Sequence, residues 1–109
     1  MPTANAPADL IRKEPVFPLQ VDNVVLAGAA KTVTKPAGKV WALISVSALC
    51  YIRTGGAAVV PGADVTDGSG SFPISPQYGI MFNMTGVATF SIIGTAVVGI
   101  AWYGDHSVI

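Results

Sequence analysis

One alternating run, residues 40–54, constrains the fold of this chain more than any other feature. Seven positions of one parity carry small or apolar side chains without a polar break: Val40, Ala42, Ile44, Val46, Ala48, Cys50 and Ile52. Successive side chains of a β-strand point to opposite faces, whereas a helical period would scatter these residues around its axis. The run therefore predicts two strands or one long bent strand, with one face in a core. The opposite parity also carries large apolar groups, and such a face needs a partner.

Composition limits the class of protein. The chain has 109 residues, enough for one domain with one core, and its formal net charge is zero. Only 11% of its residues are charged, against roughly 25% in ordinary globular domains. So little surface charge predicts a chain that covers part of its surface with copies of itself or with a host assembly, and a closed homo-oligomer such as a trimer is expected. The same balance argues against nucleic acid as a partner, since nucleic-acid-binding domains present a basic face.

The single cysteine indicates the cellular environment. One cysteine cannot form an internal disulfide, so nothing indicates an oxidising compartment, and assembly in a reducing cytoplasm is expected. Cys50 lies on the apolar parity of the alternating run, which predicts a buried, unreactive thiol.

The C-terminal segment, residues 86–104, is long and apolar enough to raise the possibility of a membrane span. Its β-branched residues, its repeated glycines and the lack of basic flanks argue against a spanning helix, and no membrane partner is expected. Alternating apolar blocks lie on either side of Gly94, so we predict a hairpin with its turn near Gly94 and Thr95.

The chain divides into residues 1–20, an extended proline-rich N-terminal arm, and residues 21–109, a β domain. Half of all the prolines fall in the arm, and proline is excluded from sheet interiors and helix interiors. The large apolar side chains Val16, Phe17 and Leu19 favour an arm that lies along a neighbouring subunit over a solvated tail. A disordered terminus is the alternative.

Short apolar segments and turn signals alternate through the rest of the chain. We predict strands at residues 23–27, 31–34, 39–47, 49–54, 77–84, 88–93 and 95–103, with a weak strand at 58–60. This pattern predicts an all-β fold, an antiparallel β-sandwich or jelly-roll-like barrel of seven to eight short strands. The long connection, residues 64–76, is expected to pass over the surface as a loop.

No group of residues has a spacing that indicates a catalytic site. Asp64 and Asp67 precede a Gly-Ser-Gly sequence that superficially resembles a calcium loop, but two carboxylates without the other ligands indicate a structural turn. The only histidine, His106, lies three residues from the end of the sequence, a poor place for a rigidly held base. We therefore expect neither an enzyme nor a bound metal or cofactor.

The aromatic residues have two interpretations. Packing in the core and at a seam between subunits is favoured, because each of seven aromatic residues lies inside a predicted strand: Trp41, Tyr51, Tyr78, Phe82, Phe90, Trp102 and Tyr103. A sugar-stacking platform is the alternative. Trp102 and Tyr103 are adjacent, so they point to opposite faces and at least one is expected outside the core. Trp41, Leu43 and Tyr103 are the candidates for the seam.

Three segments resemble small virion proteins of tailed phages. They are the strand end at residues 49–55 (LCYIRTG), the loop at residues 64–71 (DVTDGSGS) and the closing stretch at residues 90–102 (FSIIGTAVVGIAW). The resemblance spans roughly residues 40–104. It implies a β-sandwich that decorates or cements a capsid, or an accessory protein of head or tail, located in the virion and bound to the major capsid protein or other virion proteins. A carbohydrate- or receptor-binding module on a tail or fibre is the alternative.

Overall fold

The computed structural model describes residues 20–76 and 79–104. These residues form seven strands: β1 (Gln20–Ala27), β2 (Lys31–Thr34), β3 (Lys39–Val46), β4 (Cys50–Arg53), β5 (Phe72–Ile74), β6 (Ile80–Asn83) and β7 (Thr89–Gly104). Every strand pairing is antiparallel, and no helix occurs in the described ranges. The prediction of an all-β fold is confirmed. Within this part of the chain there is no helix with the length and apolar character needed to cross a membrane.

The 16-residue strand β7 organises the whole sheet. Its first half pairs with β2 on one side and β4 on the other, and its second half pairs with β1 and β3. Strand β5 extends the sheet from β4, and β6 extends it from β3. The result is one curled sheet whose two halves share β7, rather than two sheets without a common strand.

The predicted hairpin at Gly94 and Thr95 is wrong, because β7 runs straight through this point. Gly94 does not form a turn; its lack of a side chain lets β7 lie close to residues 49 and 50. A Cβ at position 94 would lie 3.0 Å from Cys50 Sγ and 3.0 Å from the Leu49 carbonyl oxygen. The sequence did contain a signal for one continuous strand, since the β7 side chains of the core cluster keep even parity across the glycine: Phe90, Ile92, Ala96, Val98, Ile100 and Trp102.

The alternating run at residues 40–54 forms β3 and β4, which lie against β7 in one register. Val46 is opposite Val98, Cys50 is opposite Gly94, and no residue is inserted between these pairs on either strand. The Ser47 amide donates to the Val97 carbonyl oxygen at 3.0 Å, which keeps the bend attached to β7. The predicted core parity is confirmed: five of its members are buried and the other two, Val40 and Ala48, are half-buried.

Two further predicted elements differ from the structure. Residues 58–60 are not a strand; the Ala58 amide donates to Ser91 Oγ at 2.8 Å, and this segment covers the outer side of β7. Strand β5 lies inside the region predicted to be a surface loop. It contains Pro73, which is tolerated because β5 is at the edge of the sheet and pairs only with β4 among the described strands.

The core lies on the concave side of the curled sheet. Its largest fully buried side chains are Trp102, Phe90, Ile44, Ile74, Ile92, Ile100, Val98 and Cys50. They come from both halves of β7 and from β3, β4 and β5, so the core holds the two halves of the sheet together.

Candidate docking face

The convex side of one half of the sheet forms an uncharged surface. Directly opposite residues of paired strands share a face, so the strand registers define which side chains lie together. We call this surface the docking face. Its members on β1, β3, β6 and the second half of β7 are Val21, Asn23, Val25, Ala27, Trp41, Leu43, Ser45, Met81, Asn83, Thr95, Val97, Gly99, Ala101 and Tyr103. None of these residues is charged.

The middle of the docking face carries mostly small side chains. Asn23, Gly99 and Ser45 lie in one row across β1, β7 and β3, and Ala101 lies in the next row. Three valines stand out from this surface: Val21 is 51% exposed, Val25 is 61% exposed and Val97 is 50% exposed. Val25 and Val97 are directly opposite each other. An uncharged, convex surface with exposed valines favours contact with another protein surface over binding of a small molecule.

An aromatic pair closes one end of the docking face. Trp41 of β3 is directly opposite Tyr103 of β7. Trp41 is half-buried, and its Nε1 atom is buried without a hydrogen-bond partner among the described residues. Burial raises the pKa of the Tyr103 hydroxyl.

The structure brings together the three residues predicted for a seam. Trp41, Leu43 and Tyr103 all lie on the docking face, and Trp102 points into the core as its parity requires. Tyr103 is only 2% exposed, however, so its side chain offers almost no surface to a neighbour, contrary to the expected role. The exposed large apolar side chains of the face are the three valines, which sequence reasoning missed, and they lie among exposed small and polar residues. The only sequence feature that could have identified them is that Val21 and Val25 are four residues apart on one strand, which puts both side chains on the same face of β1.

Several residues singled out in the sequence lie outside the described residues. These are the arm residues Val16, Phe17 and Leu19, together with Tyr78 and His106.

The Asp64–Asp67 loop has the geometry of a structural turn. Asp67 Oδ1 accepts hydrogen bonds from the Ser69 amide at 3.0 Å and from Ser69 Oγ at 2.6 Å. These two bonds lower the pKa of the Asp67 carboxyl. Gly68 between them has a φ of 91°, a conformation that glycine adopts readily. Asp64 is exposed, and the described residues contain no group of three or more His, Cys, Asp and Glu that could hold a metal ion.

A cleft of about 280 Å³ opens beside β4, β5 and β6. Arg53, Phe72 and Phe82 are among its lining residues. The Arg53 guanidinium donates to the Ala57 carbonyl oxygen at 3.2 Å and lies against Gly56, so the loop that follows β4 holds it in place. Phe72 is the exposed aromatic residue here, while Phe82 is half-buried. One exposed ring does not make a platform for stacking sugars.

Cys50 is buried, as predicted. Its side chain is fully inaccessible, and Sγ donates to the Ala48 carbonyl oxygen at 3.3 Å. Burial raises the pKa of the thiol, which keeps it protonated and unreactive at neutral pH.

The chain matches no protein-family model, no curated protein and no solved structure.

Proposed function

We propose that this chain is a non-enzymatic structural protein of a tailed-phage virion, a capsid decoration or cement protein that stabilises the shell by bridging neighbouring subunits. The observation that carries the proposal is the docking face, an uncharged sheet surface with three exposed valines. A protein that functions by surface contact needs such a face and needs no catalytic group. The resemblance of residues 40–104 to small virion proteins supports the same function.

The physical argument concerns what the exposed valines gain on binding. Apolar area removed from water contributes about 25 cal/mol per Å². Polar rims surround apolar centres in protein interfaces, and charged residues are depleted at those centres. The docking face shares the absence of charge, and its three exposed valines lie among small residues, two asparagines and one serine. We therefore place the contact with the major capsid protein on this face.

The alternative, a carbohydrate-binding module, receives less support from the arrangement of the aromatic residues. Phe90, Trp102 and Tyr103 are buried, and Trp41, Tyr51 and Phe82 are half-buried. Sugar stacking requires rings with exposed faces, whereas the apolar surfaces of these side chains are largely packed within the protein.

A sedimentation experiment tests the proposal. The purified protein is mixed with capsid shells of the phage whose genome carries its gene, and the bound fraction is measured in a sucrose gradient. We expect the wild-type protein to sediment with the shells. Val97→Lys should weaken binding by about tenfold or more, because the lysine ammonium loses its water at the centre of the contact.

The matched control is Val60→Lys. Val60 is 53% exposed, as Val97 is 50% exposed, but it lies in the loop after β4 and not on the docking face. Binding that is absent for the wild-type protein would refute the structural role. Equal losses for the two lysine variants would refute the docking face as the contact surface.

A further inference from the structure

Strand β1 has a long edge that no strand covers. Its eight residues pair with β7 on one side, and no strand pairs with the other side among the described residues. The other strands at the margins of the sheet are shorter, with four residues in β2, three in β5 and four in β6. Such an edge presents a row of backbone groups that can pair with another strand.

The hydrogen-bond pattern identifies which backbone groups face this edge. The Gly28 amide donates to the Gly94 carbonyl oxygen at 2.9 Å, and these two residues continue the β1–β7 register. Hydrogen-bonded and non-hydrogen-bonded pairs alternate along an antiparallel ladder. Even-numbered residues of β1 therefore bond to β7, and the backbone groups of Val21, Asn23 and Val25 point to the free edge.

A side-chain contact supports this assignment independently. Lys31 Nζ donates to the Val25 carbonyl oxygen at 2.8 Å, which requires that carbonyl to point away from β7. Lys31 is exposed, so its ammonium can return to water at little cost when another donor takes its place.

Strand β1 itself lacks most of the features that prevent strand addition, and the lysine at its free edge is the exposed Lys31 of the neighbouring strand β2. Natural edge strands are protected by proline, by charged side chains, especially lysine, or by short length. Strand β1 contains no proline, lysine or arginine. Its one charged residue, Asp22, accepts a hydrogen bond from Trp102 Nε1 at 2.8 Å on the side of the core.

We propose that β1 pairs with β1 of a second copy of this chain, antiparallel and across a twofold axis. The distribution of exposed valines favours a second copy over a different protein. An axis at Asn23 puts Val21 of each copy directly opposite Val25 of the other, on the docking-face side. This register covers apolar side chains that are 51% and 61% exposed in one copy. An isologous contact needs such a self-complementary patch.

The pairing would join two docking faces into one continuous uncharged surface, because the sheet continues from one copy into the other. The inference concerns the isolated protein and stands whether or not the docking face binds a capsid.

Amide hydrogen exchange of the purified full-length protein tests the pairing without any particle. We expect the amides of Val21, Asn23 and Val25 to become protected as the protein concentration rises and dimers form. The amides of Asp22, Val24 and Leu26, which bond to β7, should be protected at every concentration. Light scattering measures the dimer in the same samples.

Substitutions of Asn23 separate edge pairing from other modes of association. Asn23→Pro removes an amide that points away from β7, so the protomer should stay folded while the dimer dissociation constant rises by about tenfold or more. Asn23→Thr keeps the amide and should dimerise as the wild-type protein does. Asn23→Lys keeps the amide but puts two like charges opposite each other at the axis, so its dimer should weaken at low salt and recover at high salt.

The proposal is overturned if the wild-type protein stays monomeric at about 100 µM, a concentration at which a dimer with a dissociation constant of about 100 µM would contain about half of the protomers. It is also overturned if Val97→Lys abolishes association while Asn23→Pro and Asn23→Lys leave it intact. That result would assign the contact between copies to the centre of the docking face instead of the edge of β1.

Discussion

At the scale of single residues, the hydrogen bond between Trp102 and Asp22 shows how a buried polar atom is satisfied. Trp102 is 1% exposed, and its Nε1 atom donates to Asp22 Oδ2 at 2.8 Å. Asp22→Ala would leave this donor without a partner, which costs about 1–3 kcal/mol. We expect the free energy of unfolding to fall by that amount, measured by urea denaturation at neutral pH.

The control for this prediction is Asp22→Asn, whose amide oxygen still accepts the bond. Its loss of stability should be clearly smaller than that of Asp22→Ala. Equal losses for the two variants would show that the carboxylate charge, and not the hydrogen bond, carries the effect.

At the scale of secondary-structure elements, β7 depends on the close approach of Gly94 to the residues around Cys50. Gly94→Ala would place its Cβ 3.0 Å from Cys50 Sγ and from a backbone oxygen that cannot move freely. Overpacking of this kind costs about 1–3 kcal/mol, and the φ of 159° at Gly94 also disfavours a residue with a Cβ, so we expect the melting temperature to fall. Gly99→Ala on the same strand is the comparison, because Gly99 has no positive φ and the nearest atom to its Cβ would be Asn23 Oδ1 at 3.9 Å. If both variants melt at the same temperature, the contact at Gly94 is not what shapes β7.

At the scale of the whole molecule, the core cluster of the described residues runs from Leu26 to Trp102 and draws on both halves of the sheet. The predicted arm, most of which lies outside the described residues, is expected to contribute to docking rather than to this core. Deleting residues 1–14 should leave the melting temperature nearly unchanged and should weaken attachment to capsid shells, measured by calorimetry and gradient sedimentation. An unfolded deletion variant would assign the arm to the core, and unchanged attachment would remove its docking role.

The alternation of apolar with other residues, with a period of two, made much of the fold predictable from the sequence. It predicted the all-β class, the strands around Ile44 and Ile52 and the face of these two strands that enters the core, and with the turn signals it predicted the strands around Val24 and Val33. It also placed Trp41 and Leu43 on the opposite face. These features depend on the local geometry of a strand, in which neighbouring side chains alternate between two faces, and the order of residues records that geometry directly.

Only the tertiary structure decided which strands pair. A glycine between two alternating blocks is typical of a turn, yet Gly94 lies within one strand because its backbone pairs with Cys50 on one side and with Gly28 on the other. Three residues around Pro73 form a strand only because β4 supplies hydrogen-bond partners. The exposed valines and the open edge of β1 depend equally on which surfaces other strands cover. The sequence thus determined most of the strands and the buried face of the alternating run, while pairing between residues distant in sequence decided the remaining strand, the edges and the surface left for partners.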